Sequence, residues 1–253
     1  MSPRAARQAA PAPAGVRGLA PGLAVERELL AAAGEGALLI GCDEVGRGAI
    51  AGPVAVGLGV LAPERGLPPQ RLRDSKLLSP SVRESLLPEL DAWLGACSVG
   101  FVDAERIDRM GIIGALRSAA CAAFSELASR IEPGRPVVVL LDGTHDWIGD
   151  GFGPGVRVVV RAKADLHCAS VAAASVVAKV RRDALMVRLH DEAPHFGWNE
   201  NKGYASPAHC SALVAHGPSP WHRRSWLSRI LESGGVLEGG GVLEGGAPAV
   251  RTS

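Results

Sequence analysis

The sequence predicts an α/β domain built on one mixed sheet with helices on its faces, and three observations carry that prediction. Residues 136–141 form a β-branched run that ends in Asp142, the pattern of a buried parallel strand. Three strand-like runs precede it, at 37–42, 54–61 and 97–102. Segments with helix signals separate the early runs from the late ones.

Taken in order, residues 37–42 read as a buried strand, joined by a glycine-rich turn to a second strand at 54–61. At Ser79, Ser-Pro-Ser-Val-Arg-Glu places a cap and an early proline ahead of a periodic run to Leu94. Residues 97–102 form the third strand, and 103 to about 131 are helical with a break at Gly111. After strand 136–141 comes strand 156–161, then a long Ala/Val helix at 167–190 and a shorter helix at 206–215. The three early strands make an antiparallel meander, and the last two join it in parallel through a helical crossover.

Composition bounds the rest. Of 253 residues 47% are hydrophobic and only 4% aromatic, so the core is built from Ala, Val and Leu. The net charge of +1 is unevenly spread: residues 157–231 carry 11 basic and 5 acidic side chains, and a positive C-terminal third suits a polyanion. Five cysteines without a CxxC pair exclude a disulfide framework and a zinc site. No apolar run is expected to span a bilayer, and the N-terminus lacks the apolar stretch of a secretory signal, so a soluble cytoplasmic protein is expected. Residues 1–24 are Ala, Pro, Gly and Arg without periodicity, and 232–253 contain GGVLEGGGVLEGG. Both are expected to be disordered, leaving 25–231 as the folded unit, with a helical C-terminal part from about 190.

Four carboxylates fall at strand ends. Asp43 and Glu44 are adjacent in GCDEVGRG, where a buried strand stops, and charge there is costly unless paired or bound to metal. Asp142 ends a parallel strand, where ligands bind in open α/β sheets, although Asp-Gly alone is also an ordinary turn. Asp165 precedes the long helix and alone reads equally well as a helix N-terminal acid. Together the four suit hard divalent ions such as Mg²⁺ or Mn²⁺, two of which stabilise the attacking and leaving oxygens of phosphodiester hydrolysis. Gly46 and Gly48 flank Arg47 and permit close backbone approach to a ligand; exposed amide and carbonyl groups there suit a 2′-hydroxyl. The chain has four lysines, Lys76, Lys163, Lys179 and Lys202, and one tyrosine, Tyr204, all in polar segments near these acids.

With these residues in view the chain resembles the ribonuclease HII family. The matching segments are GCDEVGRGAIAGPV, DSKLLSP, VVVLLDG, KADLHCASVAAASVVAKVRRD, FGWNENKGYASPAH and HGPSPWHRRSW, in the family's order. The resemblance implies a ribonuclease H-like mixed five-stranded sheet with flanking helices and a small helical C-terminal extension. It implies two divalent ions, Mn²⁺ or Mg²⁺, on Asp43, Glu44, Asp142 and Asp165. It further implies that Gly46, Arg47, Gly48 and Tyr204 read the junction after a ribonucleotide, with Ser75 and Lys76 on the phosphate backbone. The substrate implied is an RNA–DNA hybrid or ribonucleotide-containing duplex DNA, cut 5′ to the ribonucleotide; a monomer with no membrane attachment is expected. The chain departs from the family pattern at Thr144, where Asn is usual, and at Ala205-Ser206, which follows Tyr204. Residues 145–155 lengthen the Asp142-to-Asp165 spacing and are expected to be a surface hairpin, and Asp183 competes with Asp165 as fourth ligand. A resolvase- or integrase-like nuclease of the same fold and a non-catalytic hybrid-binding protein are the two other readings.

Overall fold

The computed structural model of the chain describes residues 20–234. In chain order the principal elements are α1 (Ala24–Ala33), β1 (Leu38–Val45), β2 (Val54–Leu61), α2 (Pro80–Trp93), β3 (Leu94–Val102), α3 (Ala104–Ala128), β4 (Val137–Asp142) and β5 (Val156–Arg161). They are followed by α4 (Ala164–His167), α5 (Ala169–Glu192), α6 (Trp198–Asn201), α7 (Pro207–His216) and α8 (Ser228–Glu232).

The sheet order is β3-β2-β1-β4-β5. β1 pairs antiparallel with β2 and β2 with β3, while β4 lies parallel to β1 and β5 parallel to β4. The expected meander with two added parallel strands is therefore present. Two apolar layers sandwich it. On one face α5 brings Val171, Ala172, Ala173, Val176 and Val177 onto Leu39, Ala55 and Leu140. On the other, α3 brings Ala115, Leu116, Ala119 and Ala123 onto Ile40, Val56, Leu58 and Val139. Small residues let α5 sit unusually close: a Cβ at Gly41 would overlap the Ser170 backbone, and one at Gly57 the Ala174 carbonyl.

Helix boundaries follow local chemistry. The Ser79 hydroxyl accepts from the Val82 N–H and Pro80 fills the first turn of α2. Gly111 adopts φ 73°, ψ 165° inside α3, so the expected break is real. By length and composition α3 alone among the described helices is apolar enough to cross a membrane. Here it packs its buried face onto β2 and β3, so it serves as a core helix.

Residues 145–155 form turns and bends with no strand, which corrects the expected hairpin. Trp147, Ile148 and Phe152 are buried against α3, and Phe152 stacks on Phe124 with ring centroids 4.4 Å apart. Three large apolar side chains in eleven residues make the segment a flap on the second core. At the N-terminal end Gly22 pairs with Cys168, and the Glu26 carboxylate accepts from the Ser170 N–H and hydroxyl. These contacts dock α1 onto the start of α5. Residues 1–19 and 235–253, most of the expected arm and tail, lie outside the described residues.

A third apolar cluster belongs to the C-terminal extension. Phe196, Trp198, Cys210, Leu213, Leu227 and Ile230 surround Ile50 and Ala51 of the β1–β2 loop, with Met186 and Leu189 of α5.

Candidate active site

β1 and β4 are parallel neighbours, and their last paired positions are Cys42 and Leu141. Asp43 and Asp142 each stand one residue further on, so both residues arrive at the same level of adjoining strands, whose backbones run roughly 4.8 Å apart. Alternation along β1 sends Asp43 to the α5 face, where it is 3% exposed. Its carboxylate accepts from the Glu44 N–H at 2.9 Å and is hydrogen-bonded to the Ser175 hydroxyl of α5. Glu44 lies beside Arg47, whose guanidinium reaches it at 3.4 Å. The Asp142 carboxylate accepts from the Ala164 N–H at 2.6 Å. That bond holds the start of α4 under the β4 terminus, with Lys163 in the left-handed region at φ 59° making the turn. Asp165 follows on α4, 5% exposed, ion-paired to Lys76 Nζ at 3.0 Å.

The electrostatics are those of carboxylates short of positive charge. Burial pushes Asp43 well above the ordinary carboxylate range, and the neighbouring Glu44 and Asp142 push it further. Burial likewise raises Glu44, partly offset by Arg47, and raises Asp142, with Asp165 adding to the effect. Burial alone would lower Lys76, yet Asp165, Asp74 and Asp43 around it drive its pKa upward. Among the described residues, no three acidic, histidine or cysteine side chains are gathered tightly enough to hold an ion as they stand. The donor set nonetheless fits a hard divalent cation in two respects: every donor is a carboxylate oxygen, and Asp43, Asp142 and Asp165 share one lysine while Glu44 lies beside Arg47. The competing Asp183 sits on α5 with Lys179 Nζ at 2.6 Å and Arg83 at 3.6 Å, a closed ion pair network of its own.

Ser75 differs from its expected place on a phosphate. It is buried, and its hydroxyl lies 2.8 Å from that of Ser175, so its side chain supports the Asp43 shelf from within. Lys76 next to it is exposed along its length and only its amine turns inward.

The glycine loop and Tyr204 meet. The Ile50 and Ala51 N–H groups both donate to the Gly203 carbonyl, at 2.9 and 3.1 Å. A Cβ at Gly203 would overlap the Ala51 carbonyl, and its φ of +85° suits glycine. Tyr204 follows, 39% exposed, with the Arg182 guanidinium 5.7 Å from its ring centroid. Gly46, Arg47 and Gly48 directly follow β1, so the loop begins two residues after Glu44.

Sequence reasoning missed what lies beneath this surface. Arg182 of α5 donates to the Pro53 and Lys202 carbonyls at 2.8 and 3.0 Å, and Arg223 donates to those of Gly46, Arg47 and Gly52. A further chain runs through two buried histidines. Trp198 Nε1 donates to His209 Nε2 at 3.1 Å, and the Ser219 N–H donates to His222 Nδ1 at 3.1 Å. One tautomer choice closes the chain: His222 Nε2–H donates to His209 Nε2 at 3.1 Å, and His209 Nδ1–H donates to the Tyr204 carbonyl at 2.8 Å. The available signal for Arg182 was its place in the stripe Ser175, Ala178, Arg182, Met186, Leu189, which is the buried face of α5.

The family model for ribonuclease HII matches residues 40–229, which contain all four carboxylates, the glycine loop and Tyr204. The chain belongs to the ribonuclease HII family. Ribonuclease HII of Streptomyces avermitilis is 46% identical over 202 residues, covering 80% of this chain and 82% of that one. Among solved structures, ribonuclease H2 from Pyrococcus horikoshii OT3 is 27% identical with a TM-score of 0.60, covering 78% of this chain and 98% of that chain. The ribonuclease HII of Archaeoglobus fulgidus, solved in complex with PCNA, is 26% identical, also at TM-score 0.60, covering 76% and 96%. The fold is accordingly ribonuclease H-like, and membership of the ribonuclease HII family supports a ribonuclease H-type endonuclease, a hydrolase.

Proposed function

We propose that the protein hydrolyses the RNA strand of RNA–DNA hybrids and cuts on the 5′ side of single ribonucleotides in duplex DNA, leaving a 3′-hydroxyl and a 5′-phosphate. One observation carries this reading: the Gly46–Gly52 segment and Gly203-Tyr204 are stitched together by backbone hydrogen bonds, and that segment begins two residues after Glu44. A reader of the ribose thus adjoins a cluster suited to phosphodiester hydrolysis.

In this reading Asp43, Glu44, Asp142 and Asp165 hold two divalent ions, Mn²⁺ or Mg²⁺. Bound there, the ions supply charge that activates water and stabilises the leaving oxygen. The protein's own groups do the rest. Asp43 and Asp142, level on adjacent strands, define where the scissile phosphate sits. The Gly46–Gly48 backbone contacts the 2′-hydroxyl, and the half-exposed Tyr204 ring stacks on the sugar or base beyond it. Lys76, long and solvent-facing, leaves Asp165 for a backbone phosphate. Cys42, Cys97, Cys121, Cys168 and Cys210 are all free thiols, which suits the cytoplasm.

The test is a labelled DNA duplex carrying one ribonucleotide, incubated with Mn²⁺, with Mg²⁺ and with EDTA. The expected result is a single metal-dependent cut 5′ to the ribonucleotide, abolished in Asp43→Asn and Asp142→Asn. Near-normal turnover by either variant would sink the ligand assignment, and cleavage of a long hybrid but not of this duplex would sink the junction reading.

A further inference from the structure

Arg223 lies at the foot of the glycine loop, fully buried. Its Nη2 donates to the Gly46 carbonyl at 2.7 Å and the Gly52 carbonyl at 3.1 Å; Nη1 donates to the Arg47 carbonyl at 2.8 Å, and Nε to Gly52 at 3.2 Å. Every one of these partners is a main-chain oxygen. Trp226 covers the guanidinium, its ring centroid 5.0 Å away. Burying a charge against dipoles alone is expensive, and an apolar side chain of similar volume would fill the space more cheaply. The gain must lie in what the charge does to the loop.

Peptide planarity gives that gain a direction. In a trans peptide the C=O and the N–H of the next residue point opposite ways. The described residues contain no cis peptide bond. With the Gly46 and Arg47 carbonyls drawn down onto Arg223, the N–H groups of Arg47 and Gly48 face away from it. The loop therefore offers donors on its outer side, while its carbonyls are engaged below. Gly46 is needed for this shape, since its φ is +83° and a Cβ there would overlap Arg182.

We infer that Arg223 is a positioning residue that sets the polarity of the Gly46–Gly48 loop, turning two amide donors outward to meet the ribose 2′-oxygen. The inference rests on the proposal that this loop reads the ribonucleotide. An all-DNA strand leaves those donors facing a C–H group, and an unpaired buried donor is the kind of mismatch that discriminates strongly.

The experiment uses full-length Asp43→Asn protein, so that duplexes stay intact, and measures binding by fluorescence anisotropy. The ratio of affinities for a one-ribonucleotide duplex and the same all-DNA duplex is compared with and without Arg223→Lys. We expect a ratio of about ten or more with Arg223, falling to within about threefold of unity with lysine, while affinity for the all-DNA duplex changes less than about twofold. A folded Arg223→Lys protein that kept its ratio would overturn the role of Arg223 alone. A ratio of one with Arg223 present would instead overturn the loop reading beneath it. Should the lysine variant fail to fold, ¹⁵N-glycine spectra of the Arg223-containing protein decide: the Gly48 amide proton should move downfield with the ribonucleotide duplex only. A Gly48 amide indifferent to the ribonucleotide overturns the inference.

Discussion

Acidification should destabilise this protein through one buried pair of imidazoles, and the size of the effect follows from the structure. His222 is almost fully buried, and burial together with the adjacent His209 lowers its pKa to about 3. An unfolded histidine titrates near 6.5, so between those two values the unfolded chain binds a proton that the folded chain refuses. Stability is then fully present above pH 6.5 and is lost as pH falls towards 3, at about 1.4 kcal/mol per pH unit. At pH 5 the loss from His222 alone is about 2 kcal/mol, a large part of a typical margin. His209 is lowered too, again chiefly by burial, and adds to the slope. The assay is urea unfolding at pH 8, 6 and 5, for the unaltered chain and for His222→Asn. The unaltered chain should lose about 2 kcal/mol more than the variant between pH 8 and 5. Equal pH dependence in the two proteins would refute the argument, because it would mean His222 accepts its proton in the folded state.

Four other outcomes follow from the site. Asp43 is a buried acid whose neighbours are also acids, so Asp43→Asn should abolish cleavage yet stabilise the fold by on the order of 1 kcal/mol, read as a higher Tm. In the same calorimetry, Mn²⁺ or Mg²⁺ should raise the Tm of the unaltered protein and leave that of the variant nearly unmoved, the signature of ligand linkage. Lys76→Met removes an ion pair that is solvent-exposed on the lysine side; stability should change by less than about 1 kcal/mol while the salt dependence of duplex binding weakens. Gly203→Ala forces a Cβ into the Ala51 carbonyl at positive φ; we expect about 2 kcal/mol or more of destabilisation by urea unfolding and a higher KM.

The sheet was legible because its signals are local. Residues 54–61 and 156–161 have the observed bounds, since apolar runs bounded by proline, glycine or charge within a residue or two leave little freedom of extent. Gly111 announced its own kink. The α1 helix went unread: it follows directly on an aperiodic Ala/Pro/Gly arm, and its anchor is Glu26, a buried acid whose partner Ser170 is 144 residues away. Asp43, Glu44 and Asp142 were legible as strand-end acids and the Gly46–Gly48 loop as a close-approach turn, whereas Asp165, on α4, and the pairing of the loop with Tyr204 at a ribonucleotide junction leaned on the family resemblance. What was not legible is the support beneath them. A buried arginine looks in sequence like any surface arginine, and only the apolar spacing around Arg182 hints otherwise. Of the eleven basic residues counted in 157–231, Arg182 and Arg223 are buried, so the positive third of the chain presents less charge to solvent than its sequence suggests.

The bonds from Arg223 to the glycine loop span 171 to 177 residues of chain. Closures of that length come late in folding, and during synthesis they cannot form until nearly the whole domain has left the ribosome. The sheet and its acids are complete once β4, β5 and α4 have docked, well before α7 and α8 exist. On the proposed reading, a nascent chain therefore gathers its carboxylates before it acquires the geometry to choose among sugars. Any truncation that removes the segment after α5 should fall on the wrong side of that divide, keeping the carboxylates but leaving the Gly46–Gly48 loop without its mould.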